Sequence, residues 1–334
     1  MGNKRHYSVS RIGAWMACPM RYKYQYVKDI HPVREHESLS MGKLLHEAMA
    51  VGMSRLADGL DKEHAFIDAV KKITCDDVEL ETTARAVFAY AWDGFNVEDY
   101  DVAVVTQDGT PKHALELEFN VRLPGGMMYA DIQDDELHGF IDAILIEKAT
   151  GNAYVVDYKF RKRFADIDDD MINIQNMVYA YACKQMGIEV VGTMLWECRN
   201  YPMTMPKLNK DGTLSKAKIS CTWDAYASYA IQLGLNPMEY SDEMEPKLRD
   251  VEWTRISVDY TPAEAIDRAI KKVVIPAIRD IKGKDKVYMH MNNWTCMNCA
   301  YKPLCAGNLR GYDIGAWIGD EGEDKMFVRR TRDE

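Results

Sequence analysis

Two short segments, Gly139-Phe140-Ile141-Asp142 and Val155-Val156-Asp157-Tyr158-Lys159, restrict most strongly what this chain can fold into. Each lies in a run of period-two patterning, residues 137–146 and 153–160, and the turn Thr150-Gly151-Asn152 joins the runs. Side chains two apart on a strand leave the same face, so Asp157 and Lys159 project together while Val156 and Tyr158 face the other way. An antiparallel hairpin brings Asp142 alongside them. Two converging carboxylates bind a hard divalent cation such as Mg²⁺. A nearby lysine then orients an attacking water or offsets charge on an anionic transition state. Taken alone, an Asp-X-Lys triplet also arises by chance next to turns, with its lysine solvated, so the rest of the chain has to support the reading.

The surrounding pattern predicts an α/β core of moderate size. Further strands are expected over 114–123, 190–199 and 251–259. Helices are expected from Ser10 as N-cap through Ile12, Trp15 and Met16, and from Gly42 to Leu56 with Leu45, His46, Met49 and Met53 on one face. More helix is expected between Lys62 and Tyr100, over 171–186, and from Pro262 to Lys282 with Thr261 as its cap. The acidic run Asp166-Ile167-Asp168-Asp169-Asp170 suits a turn and a helix N-terminus. Residues 202–250 read as an insertion, an irregular loop followed by a Tyr-rich helix near 223–233. The expected organisation is a leading helix (1–30), a helical region containing His46 (31–110), the core (111–200), the insertion (201–250), a strand, helix and cysteine segment (251–310), and a loose polar tail (311–334).

Charge limits the partners. Lys+Arg number 42 and Asp+Glu 52, so 42 − 52 = −10. Such a chain does not coat nucleic acid as a polycation; binding would need a local basic groove or metal ions. No apolar run approaches the roughly 20 residues that span a bilayer, and the first residues lack a secretory pattern, which sets the expectation of a cytoplasmic protein without membrane association. Eight cysteines are then expected as thiols or metal ligands.

Three further groups bear on chemistry. His46 sits on an otherwise apolar helix face, where a hydrogen-bonded core histidine is the bland alternative to a ligand. Gln175 and Tyr179 are spaced i, i+4 on the helix after the Asp157 strand and share a face, as a helix edge packed on the sheet also would. Cys296, Cys299 and Cys305 form a C-X2-C-X5-C run, and Cys18 lies in Ala17-Cys18-Pro19. Four thiolates suit a tetrahedral zinc or an iron–sulfur cluster. Their spacing does not discriminate, with a slight lean to zinc. Cys75, Cys183, Cys198 and Cys221 lack ligand spacing. No P-loop, dinucleotide fingerprint or nucleophile elbow occurs.

In this order, Gly42-X-X-X-His46, Gly139-X-Ile141-Asp142, Asp157-X-Lys159 and Gln175-X-X-X-Tyr179 resemble the elements of the PD-(D/E)XK nuclease superfamily in its RecB-like branch, with Glu116 to Phe119 a weaker echo of its Glu-X-X-Phe strand. The resemblance implies a restriction-endonuclease-like core, a mixed central sheet flanked by helices. It implies His46, Asp142, Asp157 and the Tyr158 backbone carbonyl as ligands of Mg²⁺ or Mn²⁺, Lys159 as the catalytic lysine, and Gln175 and Tyr179 as support for DNA or the active site.

The cysteine arrangement and the context Ser8 to Tyr24 are similar to those of AddB-type nucleases and the related CRISPR-adaptation exonucleases. This implies a [4Fe–4S] cluster on Cys18, Cys296, Cys299 and Cys305 that ties the two ends of the chain together. The implied activity is a DNA exonuclease acting at single- or double-stranded ends in recombination, repair or phage DNA processing, with a single-strand annealing protein as a candidate partner. Basic residues at Lys159, Arg161, Lys162 and Arg163, and at Lys207, Lys210, Lys216 and Lys218 in the insertion, would meet phosphates. Two rival readings are a scaffold relative that has lost cleavage, which the intact Asp142, Asp157 and Lys159 oppose, and a zinc-stabilised protein with an accidental triplet.

Overall fold

The longest strand, Glu136–Glu147, is the spine of a seven-stranded mixed sheet. The computed structural model describes residues 5–33, 37–107, 109–164, 173–260, 262–283, 287–320 and 325–330. One edge of the spine takes Leu115–Arg122 and then Tyr100–Val102, both antiparallel. Its other edge takes His6–Tyr7 in parallel and then Ala153–Arg161 antiparallel, so the hairpin forms with Ala143 opposite Val156. Ala153–Arg161 pairs in parallel with Gly192–Arg199 after a crossover through the helix Ile174–Met186, and Thr254–Asp259 adds antiparallel beyond. The parallel strands are buried on both faces, which is why Tyr154–Tyr158 and Met194–Trp196 read as nearly unbroken apolar runs.

Two cores sandwich the sheet. On one face Leu117, Phe119, Leu137 and Ile141 pack on Val178 and Ala182 and on Ile270 to Ile278. On the other, Leu145, Val156, Tyr158 and Trp196 pack on Leu45, Met49 and Met53 of the helix Glu37–Ala57, backed by Phe88 and Trp92 of Val78–Gly94. The expected mixed sheet flanked by helices is thus the observed one.

Gly52 marks a close helix–helix approach. A Cβ there would stand 2.5 Å from the Trp92 ring, whereas at Gly13 it would meet nothing within 4 Å. Gly52→Ala should lower unfolding stability by about 1–3 kcal/mol through overpacking. Gly13→Ala should raise it by up to about 1 kcal/mol through helix propensity. Urea midpoints that shift in the same direction for both would contradict this packing.

Several local expectations shift. The first helix, Val9–Ala17, is capped by Ser8 and not Ser10, because the Ser8 hydroxyl accepts the Arg11 N–H at 3.1 Å. Pro262 is itself the cap of the helix starting at Ala263, and the helical run passes through a π-turn at Ile270–Val274 before ending at Gly283. Thr261 and the acidic run 166–170 lie outside the described residues. Residues 202–250 hold a helix that patterning missed, Met238–Leu248, whose acidic surface and Pro246 disguise it. It packs with Trp223–Gln232 around a small core of Leu214, Cys221, Tyr226, Tyr240 and Met244. Within 311–334, read as a polar tail, Ile318–Gly319 and Phe327–Arg329 instead form a three-stranded sheet with Ile30–Pro32. Phe327 anchors it among Tyr24, Ile30, Tyr301 and Leu304. No described helix is long and apolar enough to cross a membrane.

Candidate active site

The hairpin and two helices converge on Asp142 and Asp157. The His46 helix approaches from one face, and His46 Nδ1 stands 3.3 Å from Asp142 Oδ2. The same oxygen accepts the Tyr158 backbone N–H at 2.9 Å. In an extended strand the N–H and C=O of one residue leave along the same edge, so the Tyr158 carbonyl faces Asp142 as well. The rings of Tyr158 and Phe160 pack edge-on against His46 at 5.9 and 5.8 Å.

Helix Ile174–Met186 approaches from the other face, capped by Asn173. Lys159 Nζ donates to Asp157 Oδ1 at 2.7 Å and to Gln175 Oε1 at 3.4 Å. Gln175 Nε2 donates to Asp157 Oδ1 at 3.1 Å and to the Tyr179 hydroxyl at 3.0 Å. Gln175 therefore positions both members of the Asp157–Lys159 pair, and Tyr179 positions Gln175.

The two aspartates have different electrostatics. Burial raises Asp142, but the hydrogen bond and charge of His46, the Tyr158 N–H and Lys159 outweigh it, so its carboxyl lies below the usual range. Burial also raises Asp157, helped by the Asp142 charge, and here Lys159 and His46 do not compensate: the carboxyl is pushed up to about 6. His46 is lowered by burial and raised further by Asp142, ending above its ordinary value. Asp157 Oδ2 is buried and, among the described residues, has no hydrogen-bond partner. A carboxylate oxygen left in that state is costly unless a cation meets it.

Glu116 is the residue that sequence reasoning undervalued. Its oxygen, His46 nitrogen and an Asp142 oxygen lie within 4.8 Å of one another, a group suited to a metal ion. Glu116 has φ +44°, the left-handed region, which costs a non-glycine residue about 1–3 kcal/mol. Partial burial and the Asp142 charge raise this carboxyl, with His46 opposing. The earlier expectation grouped Asp157 with His46 and Asp142; the structure groups Glu116 with them and ties Asp157 Oδ1 to Lys159 and Gln175. The Glu-X-X-Phe echo was the available signal.

The basic residues are only partly available to phosphates. Arg161 and Arg255 both pair with the buried Glu197, and Arg199 and Arg255 lie over the Phe164 ring at 5.2 and 5.0 Å, while Lys162 and Arg163 are exposed. In the insertion Lys216 pairs with Glu243, which Lys247 also reaches.

The four ligand-spaced cysteines also come together. Cys18, Cys296, Cys299 and Cys305 line one cavity of about 270 Å³. Cys18 Sγ accepts the His290 N–H at 3.4 Å, and Cys296 Sγ donates to the His290 carbonyl at 3.5 Å. Burial and the neighbouring thiols push Cys305 up to about 11. Cys183 and Cys198 are raised by burial to about 12, and Cys221 to about 11, which marks them as unreactive core thiols.

A family model described as the PD-(D/E)XK nuclease superfamily matches residues 6–306, a span that includes the candidate active-site residues and the four clustered cysteines. No curated protein matches the chain. Among solved structures, that of SSO0001 aligns at 11% identity over 91% of this chain and 87% of its own, with a TM-score of 0.32.

Proposed function

The chain belongs to the PD-(D/E)XK nuclease superfamily, and from that premise we propose that it is a metal-dependent exodeoxyribonuclease hydrolysing phosphodiester bonds at DNA ends. The observation that carries the metal reading is the unpartnered, buried Oδ2 of Asp157 beside the His46, Glu116 and Asp142 group. Oxygen-rich donors with one imidazole suit Mg²⁺ or Mn²⁺. A bound ion would supply a water of lowered pKa and offset charge on the scissile phosphate. The chain's own residues do the rest. Asp142, Asp157, Glu116, His46 and the Tyr158 carbonyl would hold the cation. Lys159, fixed by Asp157 and Gln175, presents its ammonium where negative charge develops on the phosphate. Gln175 and Tyr179 keep that ammonium in place.

Cys18, Cys296, Cys299 and Cys305 are read as ligands of a [4Fe–4S] cluster with a structural role. That the four thiols line one cavity supports a shared group. Recombination, repair or phage DNA processing in a cytoplasm, alongside a single-strand annealing protein, is the setting this reading supports.

Digestion of strand-labelled linear and circular DNA tests the activity. Mg²⁺ or Mn²⁺ should support shortening of linear DNA from its ends and leave circles intact. Ca²⁺ should support binding without cleavage, because its loose coordination activates water poorly. Nicked circles would overturn the exonuclease reading, and rapid digestion in Ca²⁺ alone the metal mechanism.

A further inference from the structure

The face of the sheet that carries Asp157 and Lys159 carries another carboxylate, Glu197. Tyr158, Trp196, Cys198 and the partly buried Ile256 pack in the core behind the His46 helix. Lys159, Arg161, Glu197 and Arg255 therefore leave the opposite face by alternation. Lys159 is in register with Glu197 on the neighbouring parallel strand, and Glu197 with Arg255 on the strand beyond. Adjacent strands stand about 4.8 Å apart. A lysine at position 159 thus has two carboxylates within reach, Asp157 on its own strand and Glu197 on the next.

The side chain goes to Asp157, with Nζ 2.7 Å from Oδ1. Glu197 is fully buried and already engaged. Arg161 Nε stands 3.0 Å from its Oε1, and Arg255 Nε donates to its Oε2 at 2.8 Å. The Arg255 guanidinium also lies over the Phe164 ring at 5.0 Å, which fixes its plane. Arginine suits this task better than lysine, because its fork matches a carboxylate and its charge persists at any working pH. Taking one partner from a buried ion pair leaves a charge that the interior does not compensate. The ammonium in register with Glu197 is that of Lys159.

We infer that Arg161 and Arg255 are positioning residues for Lys159: by occupying the buried Glu197 carboxylate they leave Lys159 to Asp157 and Gln175, and so keep its ammonium at the metal group. The inference rests on the nuclease reading for what Lys159 does. A plain phosphate contact and a plain tie between strands are the roles it has to be separated from.

Arg255→Gln is the test, with single-turnover cleavage of linear DNA in Mg²⁺ or Mn²⁺ measured well below the melting temperature of each variant. The rate should fall about ten- to a hundred-fold, because a displaced ammonium no longer meets the charge that develops on the phosphate. Affinity for a fluorescein-labelled oligonucleotide in Ca²⁺ buffer should stay within about two-fold, since no ground-state contact is lost. Adding Glu197→Gln to Arg255→Gln removes the competing charge and should recover most of the rate. A crystal structure of Arg255→Gln should show Lys159 Nζ moved from Asp157 to Glu197. Should that variant not fold, Arg161→Gln carries the same comparison with the Arg255 pair kept. A wild-type rate in the single variant, a loss that Glu197→Gln does not relieve, or weakened oligonucleotide binding that accounts for the loss overturns the inference. So does Lys159 still seated on Asp157 in the variant. A wild type that binds DNA and cleaves none would instead sink the proposed activity, and the place of Lys159 in the variant crystal would still decide this inference.

Discussion

Asp157→Asn should reduce cleavage by at least about a hundred-fold, and without divalent cations near neutral pH it should unfold at no lower a temperature than the wild type. The two outcomes have one cause. Asp157 is buried, its carboxyl is pushed up to about 6, and Oδ2 has no partner. A carboxyl whose folded pKa exceeds the unfolded value of about 3.9 binds its proton more tightly in the native state. It therefore favours folding at low pH, and that contribution is lost as pH rises from about 4 through about 6. Asparagine has no proton to lose, so the variant should lack this part of the pH dependence of stability. Asp142 works in the opposite sense: its lowered carboxyl stabilises above its unfolded value and loses that contribution in acid. Adding Mg²⁺ should raise the melting temperature of the wild type by linkage and leave the variant unmoved. Thermal melts across pH, with and without Mg²⁺, read all of this alongside activity. A variant that cleaves normally would remove Asp157 from the site. One that melts well below wild type in metal-free neutral buffer would show that its charge is already compensated.

The parts of this molecule legible from sequence are those where short-range chemistry and periodicity agree. The hairpin strands lie within two residues of their expected bounds because Leu137, Ile141, Tyr154 and Val156 alternate or cluster as buried strands require. His46, Asp142, Asp157, Lys159, Gln175 and Tyr179 each sit on an element with strong patterning, and it was the order of four short motifs, as in the PD-(D/E)XK nuclease superfamily, that grouped them, since spacing alone left bland alternatives for each. Glu116 was missed as a cation ligand because only the weak Glu-X-X-Phe echo marked it, and its left-handed backbone leaves no trace in the pattern of residue types. Met238–Leu248 was hidden because its apolar contacts, Tyr240, Met244 and Leu248, serve a private core within the insertion. The Phe327 strand was hidden for another reason. Its partner strand, Ile30–Pro32, lies at the opposite end of the chain, and pairing across that separation leaves no local trace.

That last pairing belongs to the module in which the second large effect is expected: Cys18→Ala should lose its iron and expose both ends of the chain to protease together. Cys18, Cys296, Cys299 and Cys305 face one cavity, and the elements around it form a unit apart from the nuclease sheet. Its buried core is small, comprising Tyr24, Ile30, Tyr301, Leu304 and Phe327, with Tyr301 donating its hydroxyl hydrogen to the Ile30 carbonyl at 2.9 Å. A core of that size stabilises little on its own and calls for a staple, and ligand bonds to a cluster would supply folding free energy directly. In the proposed cluster, losing Cys18 would therefore remove more than a thiol. The contacts that bridge the termini, His290 to Cys18 and to the Ala17 carbonyl, rest on the same anchor. Limited proteolysis should cut near residues 18–33 and 290–330 at matched rates, while circular dichroism keeps most of the signal of the central sheet and its helices, whose two cores lie elsewhere. Iron analysis and visible absorption are the direct readouts. Full iron and full protection at both termini would exclude Cys18 as a ligand. Zinc in place of iron in the wild type would retain the four-thiol staple and discard the cluster. Protection lost at only one end would separate the small core from the cysteine site and refute the shared anchor.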